Sequence, residues 1–476
     1  MAADTLQQAA NAVEHAAATA AHHDVSTGVT LLFIGVLVAM IATLALEEKL
    51  HAKKSLIVGV FAVISLLLGA ALHIIPFGKT LLPGGHEIEM PVYIPAIDWG
   101  VIAIIVGSSV FVDVTSRSGL FTWIAIKLTK MSLGDPLKLL WFYGLMTVIF
   151  SAVLNNVTAM IIVGSLTGVS LKKLNLESKL LGFLIIEGLL TNIGGLLTLI
   201  SSVPNIIVGA AAGISFVDFF LKASPFVVVA TIVTILMGAK LFKIQKLTNE
   251  EDIARAAKEV AAFDENDGIE SRNFFWFGAV TLVIFICVIA TTSILPFVKE
   301  LGMGYVALAF AVIMLIRFKS EVDQFYKQVD WDLIGFFMAL FVVINVMEHA
   351  MVLGLIGQGI TKIIGAEENL VGTGALLVSS AAFSSVTDNI PLAAMLAKIL
   401  GASGTPGDSP LWWAVVFGAN LGGNITPIGS ASTLVAVTII HKYKLPMSFG
   451  GFVKMALPYA AVQLVLATAY VLIFLR

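Results

Sequence analysis

The sequence predicts an all-α polytopic membrane protein made of two inverted repeats with interrupted helices. Three observations lead to this fold class. The chain is strongly apolar, its long apolar runs are separated by short polar segments, and glycine-rich polar motifs recur within those runs in the same order. The class is helical because a segment that spans lipid must satisfy its own backbone hydrogen bonds.

Composition indicates that lipid is the main solvent of the chain. Of its 476 residues, 58% are hydrophobic and 12% are charged, and the mean hydropathy is +0.97. A soluble protein carries about 25% charged residues, so this chain has too few charges to cover a soluble surface. With roughly 20 apolar residues per span, there is room for about ten to twelve membrane segments. The net charge of −3 gives no sign of a nucleic-acid-binding surface, and the single Cys287 excludes a disulfide framework.

The chain divides into four parts. Residues 1–27 form a polar, alanine-rich tail that lacks the positive charges of a signal peptide. Residues 28–242 form a first membrane half, and residues 273–476 form a second. Between them, residues 243–272 are the long polar stretch that we interpret as a solvated linker, with a short helix near Asp252–Ala262.

Positive charges predict the orientation, because they are enriched in cytoplasmic loops. They follow the first span at Lys49 and Lys54 and recur in the linker, whereas the loop 78–98 carries only Lys79. We therefore expect a protein of the cell inner (plasma) membrane, with the N-terminus outside and the linker cytoplasmic. The side on which Lys172–Lys179 lies is left open.

Three pairs of segments repeat in the same chain order, and the second copies follow the first by 228 to 233 residues. Asp98 and Asp330 mark helix starts, each followed by an interfacial tryptophan. Because the charge rule puts Asp98 outside and Asp330 inside, the copies cross the membrane in opposite senses, which is typical of secondary transporters. We place the repeats at about residues 97–242 and 329–476. The paired segments are Ile97–Trp99 with Val329–Trp331, Ser151–Val157 with Ser384–Ile390, and Asn192–Ser202 with Asn420–Ser430.

The glycine-rich motifs predict breaks in two helices at membrane depth. Non-helical backbone survives in a membrane only inside protein or along a wet cavity, and Pro204 and Pro427 help to end the helices. We expect an ion site where the two copies meet, with freed backbone groups facing a cavity. The alternative is that these small polar residues only pack helices together. The candidate binding residues of the breaks are Asn192, Gly194, Gly195, Thr198, Ser201 and Ser202 in the first half, and Asn420, Gly422, Gly423, Asn424, Thr426 and Ser430 in the second.

Carboxylates inside apolar runs are costly and are functional by default. Asp388 lies within the second copy of its motif, and the matching position of the first copy, Asn155, is neutral. We predict that Asp388 couples transport to protons or cations, with Glu187 as a second proton-coupling residue. The alternative for Glu187 is a structural hydrogen bond to a neighbouring helix.

Motifs of soluble catalysis are missing from the sequence. It contains no phosphate-binding loop with its lysine, no His-Glu-x-x-His metal motif and no nucleophile elbow. We therefore expect no enzyme activity, no cofactor and no metal site. Inverted repeats with two breaks also argue against a channel, because a channel needs a continuous pore.

A family resemblance is carried by Leu154–Thr158, Glu187–Gly195, Val203–Asn205, Asp388–Pro391 and Gly422–Ser430. These segments resemble motifs of the ArsB/NhaD group within the ion transporter superfamily, which includes arsenite permeases, NhaD-type sodium/proton antiporters, the melanosomal P protein and citrate-type carriers. The resemblance implies a re-entrant hairpin and an interrupted transmembrane helix in each repeat. It also implies a homodimer that works as an elevator, and it leaves room for a separate ATPase subunit. Candidate binding residues that it adds, mainly at the hairpin tips, are Asn155, Asn156, Thr158, Asn205, Asp388 and Asn389.

Two departures from the family pattern bear on the substrate. Many relatives have Asp-Asn where this chain has Asn155-Asn156, and Gly-Asp-Pro-Pro-Asn where it has Ser201–Asn205. Since sodium binding favours carboxylate oxygens, the missing carboxylates weaken a sodium/proton function. The stretch Ile425–Ser430 is most similar to arsenite permeases.

The leading hypothesis is a secondary active transporter that exports arsenite or antimonite in exchange for protons at Asp388. The alternatives are an NhaD-type Na⁺/H⁺ antiporter, a carrier of carboxylates or other anions, and a channel. The expected partners are a small inorganic ion, a coupling ion (H⁺ or Na⁺) and the lipid bilayer, with no nucleic acid.

Overall fold

The computed structural model describes residues 25–75, 79–81, 87–319, 322–365, 369–387 and 389–475. Most of the polar tail, and Asp388, therefore lie outside the described residues. Within those residues, nine helices are long and apolar enough to cross a membrane, and four shorter apolar helices accompany them. The chain is a multi-pass membrane protein, and the predicted all-α fold with two inverted repeats is confirmed.

The described part of the first half contains eleven helices and one pair of short antiparallel strands. The strands were not predicted, because they lie in a polar loop without alternating hydrophobic residues. The elements are α1 (Thr27–Ala45), α2 (Glu47–Leu50), α3 (Lys54–Ala71), β1 (Lys79–Leu81), β2 (Glu87–Glu89), α4 (Tyr93–Ala96), α5 (Trp99–Arg117), α6 (Leu120–Ser132), α7 (Pro136–Val153), α8 (Asn156–Lys173), α9 (Glu177–Gly194), α10 (Val203–Ala212) and α11 (Phe216–Leu241).

The linker forms one amphipathic helix, and the described part of the second half forms ten helices. They are α12 (Glu250–Ala261) in the linker, then α13 (Arg272–Thr291), α14 (Val298–Arg317), α15 (Val322–Gln328), α16 (Trp331–His349), α17 (Val352–Ile364), α18 (Leu370–Ser384), α19 (Asn389–Ala402), α20 (Pro410–Gly422), α21 (Ala431–Lys442) and α22 (Phe449–Phe474).

The two halves match helix by helix. The order α1, α3–α11 in the first half corresponds to α13–α22 in the second, so the duplication extends upstream of the motifs that revealed it. Pro225 and Pro458, which lie inside α11 and α22, are 233 residues apart. Only α2, the two strands and the linker helix have no counterpart among the described elements.

A frame of four long helices interlocks the halves. Helix α5 of the first half packs lengthwise against α14 of the second, and α16 of the second half packs in the same way against α3 of the first. We call α3, α5, α14 and α16 the frame. Because each contact joins opposite halves, neither half can complete the frame alone.

The predicted helix starts are confirmed, and they carry the same bonds in both halves. Asp98 and Asp330 each cap their helix by accepting a backbone N–H three residues on, over 3.1 and 2.9 Å. The indole N–H of Trp99 donates to a backbone carbonyl five residues earlier, over 3.1 Å, and that of Trp331 does the same over 2.8 Å. The acceptors are Ile94 and Tyr326.

The linker packs against the ends of α6, α7 and α9. The Lys127 ammonium donates to Glu265 over 2.7 Å, and the backbone N–H of Leu247 donates to Asp135 over 2.9 Å. Lys179 donates to the carbonyl of Lys243 over 3.0 Å. The start of α9, which carries Lys179, therefore lies on the same side of the molecule as the linker.

Left-handed residues connect the frame to the rest of each repeat. Gly119, between α5 and α6, has a φ of 81°, and Met351, between α16 and α17, has a φ of 61°. The two positions are 232 residues apart and thus equivalent in the repeats. The chain makes the same change of direction twice.

Candidate functional site

The predicted site contains two helical hairpins and two interrupted helices. Hairpin 1 consists of α7 and α8, with its tip at Leu154-Asn155, and hairpin 2 consists of α18 and α19, with the described part of its tip at residues 385–387. The interrupted helices are α9–α10 and α20–α21, and we call the segments 195–202 and 423–430 break 1 and break 2. Each hairpin packs against the interrupted helix of its own half.

Serine and threonine side chains bond each hairpin to its break. Ser151 of hairpin 1 donates to the carbonyl of Thr191 over 2.6 Å, and Thr198 of break 1 donates back to the carbonyl of Ala152 over 2.5 Å. The same two bonds occur in the second half. There Ser384 donates to Ala419 over 2.6 Å, and Thr426 donates to Ser385 over 2.5 Å.

Glycine permits this close approach at one equivalent position in each half. A Cβ on Gly194 would lie 2.8 Å from the Cα of Val148, and a Cβ on Gly422 would lie 2.7 Å from the Cα of Ala381. Such distances are shorter than real Cβ contacts, so only glycine fits without a shift of the backbone. The broken helices and the hairpins thus touch backbone to backbone.

The two breaks bond to each other through a symmetric pair of contacts. Asn192 donates to the hydroxyl of Ser430 over 3.0 Å, and Ser202 donates to the amide oxygen of Asn420 over 2.8 Å. All four side chains are buried. We call hairpins 1 and 2 with the two interrupted helices the bonded unit, because these hydrogen bonds join them across the halves.

Four freed carbonyls of the breaks accept hydrogen bonds from side chains, whereas the sequence predicted that these groups face a cavity. Asn205 donates to the carbonyl of Gly195 over 2.6 Å and to that of Thr198 over 3.0 Å. At the equivalent position, Thr433 reaches the carbonyls of Gly423 and Thr426, each over 3.4 Å. The physical reason is that a buried polar group must find a hydrogen-bond partner, and nearby side chains supply it here.

One buried connection exists only in the second half. Asn424 of break 2 donates to Gln463 of α22 over 2.8 Å, and Gln463 donates to Thr234 of α11 over 2.9 Å. Asn192 also donates to Asn424 over 2.8 Å. The position equivalent to Asn424 in break 1 is Leu196, which cannot make this link. Break 2 is therefore tied to both long helices α11 and α22.

The tip of hairpin 1 is the more accessible part of the predicted site. Asn155 is exposed and accepts from the backbone N–H of Thr158 over 2.7 Å, while Asn156 accepts from Ser151 over 2.8 Å. In hairpin 2, Asn389 begins α19 and is buried. Asp388, the first candidate for coupling, lies outside the described residues, so its place at this tip stays a prediction.

Glu187 is fully buried in α9, with an exposed fraction of 0%. One carboxyl oxygen accepts from Thr167 of α8 over 2.6 Å, and the other has no hydrogen-bond partner in the structure. The equivalent residue of the second half is Val415. The first half thus holds a carboxyl group that the second half lacks. The sequence marked Glu187 but gave no sign of Thr167 as its partner.

A metal centre does not form among the described side chains. No group of three or more His, Cys, Asp or Glu residues in this part of the chain is arranged to hold a metal ion. The break residues instead offer amide and hydroxyl groups, and the N-termini of α8, α10 and α21 begin beside them. Helix N-termini carry a partial positive charge that favours anions.

A family model described as "Citrate transporter" matches residues 48–418, which is most of the chain. The chain belongs to the citrate transporter family. That family lies within the predicted ion transporter superfamily, and the narrower ArsB/NhaD group stays a prediction.

Relatives of this citrate transporter family member are also named as transporters. An uncharacterised transporter of Mycobacterium tuberculosis is 32% identical, over 79% of this chain and 86% of its own length. An uncharacterised transporter of Synechocystis is 27% identical, over 93% of this chain and 96% of its own. The mouse P protein is 25% identical over 92% of this chain, which spans 59% of that protein. These names identify a membrane transporter and leave its substrate open.

A solved structure shares the fold. The YdaH transporter of Alcanivorax borkumensis superimposes with a TM-score of 0.55 at 14% identity, covering 94% of this chain and 98% of its own. At this identity the likeness concerns the fold alone.

Proposed function

We propose that this protein is a proton-coupled secondary transporter of a small weak acid, bound between the hairpin tips and the breaks. The chemistry of the breaks carries the proposal. Their polar side chains are amides and hydroxyls, and no carboxylate occurs in segments 195–202 and 423–430. Amide and hydroxyl donors beside helix N-termini favour an anion or a neutral acid over a bare cation.

A carboxylic acid is the first candidate for the cargo. The citrate transporter family supports it, and so does the lack of carboxylates in segments 195–202 and 423–430. Arsenous acid is the second candidate, supported by the resemblance of Ile425–Ser430 to arsenite permeases and by the hydroxyl groups of Thr426 and Ser430. Sodium/proton antiport has less support, because Asp388 is the one carboxylate that the motifs place at the site.

Protons are the proposed coupling ion, with Asp388 and Glu187 as the residues that bind them. Glu187 supports this part of the proposal because it combines complete burial with one unpartnered carboxyl oxygen. An intramembrane carboxyl group of this kind is a functional residue by default. Binding and release of a proton there would change the charge of the bonded unit by one.

The proposed movement is that of an elevator, in which the bonded unit slides against the frame. The symmetric bonds Asn192–Ser430 and Ser202–Asn420 support it, because they let the two breaks move together. We further propose a homodimer in the inner membrane with the N-terminus outside and the linker in the cytoplasm. No ATPase subunit is needed, because the proton gradient supplies the energy.

Proteoliposomes with an imposed pH gradient test the proposal. Labelled citrate, benzoate and arsenite are offered in turn, with and without sodium. We expect the gradient to drive more accumulation of at least one acid than in protein-free liposomes, and sodium to make no difference. Dissipation of the gradient by sodium alone, with no acid moved, would identify a sodium/proton antiporter. Single-channel currents would identify a channel.

Asp388→Asn is the variant that tests the coupling residue. We expect loss of proton-driven accumulation with normal folding, because the amide has nearly the same volume as the acid but carries no exchangeable charge. Elution of the variant as a single folded species in size-exclusion chromatography is the control. Transport with the pH dependence of the wild type would remove Asp388 from the mechanism.

A further inference from the structure

A cavity of about 450 Å³ lies along hairpin 2. Helices α1 and α17 form one side of it, and both arms of the hairpin form the other. Its end near α2 and α3 is formed by Glu47 and Lys54, which make an ion pair over 3.7 Å. The cavity thus extends from a charged end into the apolar interior of the protein.

The walls of the cavity are almost entirely apolar. Nine of the 21 lining residues are leucine, isoleucine or methionine residues of α1, α17 and α19. Three residues that carry hydroxyl groups, Ser379, Ser380 and Thr387, lie in the wall on the side of hairpin 2. Ser380 has an exposed fraction of 1%, and its hydroxyl oxygen has no hydrogen-bond partner in the structure.

An unpartnered buried hydroxyl carries a free-energy cost that a ligand can remove. A buried donor or acceptor without a partner loses its hydration and gains nothing in return. A ligand that brings a polar group to Ser380 would restore the missing hydrogen bond. The rest of the wall would contact only apolar surface of that ligand.

The cavity is continuous with the proposed transport site. Its wall includes Val386 and Thr387 at the tip of hairpin 2, directly before Asp388, and Ile428 within break 2. A molecule in the cavity would therefore touch the same tip and break that we propose to bind the acid group of the cargo. This continuity favours the cargo over a membrane lipid as the occupant.

We propose that the cavity binds the apolar body of the cargo, so that the substrate class is organic acids with a compact aromatic or branched alkyl group. This inference rests on the proposed transport of a weak acid. The acid group lies at the tip of hairpin 2 and the apolar body lies between α17 and α19. A wholly polar ion would lose hydration against these walls without gaining hydrogen bonds, whereas an apolar body gains by leaving water.

Photolabelling with 4-benzoylbenzoate, an acid with an apolar body, tests the assignment. The full-length protein in nanodiscs is irradiated with the probe, and the labelled peptides are located by mass spectrometry. We expect label on α17, α18 and α19, and protection by excess phenylacetate but not by acetate. Label spread over the lipid-facing helices, or protection by added phospholipid alone, would show a lipid-filled groove and overturn the proposal.

A matched pair of variants on α17 sharpens the test. Ile360 lines the cavity, whereas Leu355 on the same helix is 50% exposed and does not line it. Ile360→Trp should lower labelling about tenfold by filling the cavity, and Leu355→Trp should leave it unchanged. Ser380→Ala adds no bulk and should also weaken labelling. Equal labelling of wild type, Ile360→Trp and Ser380→Ala, all of them folded, would contradict the assignment.

Transport measured on the same variants separates the two proposals. If Ile360→Trp blocks the part of proton-driven benzoate uptake that requires the protein, both proposals stand. If proton-driven uptake of all acids is normal in Ile360→Trp and labelling is unaffected, the cavity assignment fails while the proposed function stands. Specific labelling without any proton-driven flux would instead reject the proposed function and leave the cavity as a binding site.

Discussion

Asn192 in the first half donates to Ser430 in the second over 3.0 Å, and Ser202, also in the first half, donates to Asn420 in the second over 2.8 Å. The two bonds are related by the internal repeat, since 228 residues separate Asn192 from Asn420 and Ser202 from Ser430. Neither bond can form within one half. The two hydrogen bonds therefore join break 1 and break 2, so that they move together.

Loss of this cross-link should destabilise the protein. Asn192→Ala and Asn420→Ala each leave buried partners without a hydrogen bond, which costs about 1–3 kcal/mol per group. We expect a lower melting temperature for both variants in detergent. The control is Asn266→Ala in the exposed linker, where a substitution changes the free energy of unfolding by about 0.5 kcal/mol or less. Equal melting temperatures for Asn420→Ala and Asn266→Ala would show that the cross-link does not stabilise the fold.

A methyl group at Gly422 should separate break 2 from hairpin 2. Its Cβ would lie 2.7 Å from the Cα of Ala381, so Gly422→Ala forces the backbone apart and should destabilise by about 1–3 kcal/mol. Gly401→Ala is the matched control, because no heavy atom lies within 4 Å of its added Cβ. In α19 that change should be neutral or stabilise by about 1 kcal/mol. The measurement is the melting temperature of both variants. Equal melting temperatures for Gly422→Ala and Gly401→Ala would contradict the close approach of break 2 and hairpin 2.

Glu187→Gln should distinguish a role of Glu187 in proton coupling from a role in stabilising the fold. Glutamine keeps the volume and the oxygen that accepts from Thr167, but it cannot exchange a proton in this pH range. We expect normal folding and counterflow exchange of the cargo, with loss of accumulation driven by a pH gradient. An unchanged pH profile of transport would leave Glu187 with only the structural hydrogen bond that the sequence also allowed.

Acid should release the linker from α6. The hydrogen bond from Lys127 holds the pKa of Glu265 below its ordinary value, with further attraction from Lys130 at 3.6 Å. Since the docked state favours the carboxylate, its stabilisation is present above the ordinary glutamate pKa and is lost as the pH falls through the lowered pKa. Lower protection of the amides of residues 262–268 against hydrogen exchange at acidic pH, relative to their intrinsic exchange rates at that pH, is the expected result.

Two linker variants check the same contact at neutral pH. Glu265→Gln removes the charge that Lys127 binds and should reproduce the lower protection of these amides at neutral pH. Glu270→Gln removes one negative charge from the same linker without touching this contact. If the two variants exchange alike, the ion pair does not hold the linker in place.

The repeated motifs made the architecture predictable from the sequence. Each motif places glycine or polar residues, which favour a break or a cap in a helix, inside a run of apolar residues. Asp98 and Asp330 could be predicted as helix caps, and Gly194 and Gly422 as points where helices break. The strands at Lys79–Leu81 and Glu87–Glu89 were missed, since three residues each are too few for a periodic pattern.

The partners of the site residues could not be predicted, because they come from other helices that only the tertiary fold brings together. Asn424 pairs with Gln463 and Glu187 pairs with Thr167, and neither partner belongs to a repeated motif. The sequence also suggested open, hydrated breaks. In the structure, side chains such as Asn205 take the place of water, since a folded interior satisfies its own polar groups wherever it can.

Gly119 and Met351 make the same turn in the two repeats, but at different energetic cost. Glycine adopts the left-handed region freely, whereas an L side chain there costs about 1–2 kcal/mol. The joint at Met351, with a φ of 61°, therefore holds elastic strain that the joint at Gly119 lacks. A movement that lets Met351 leave this region is therefore favoured locally. The two connections have the same shape, but only the connection at Met351 stores backbone strain that such a movement would release.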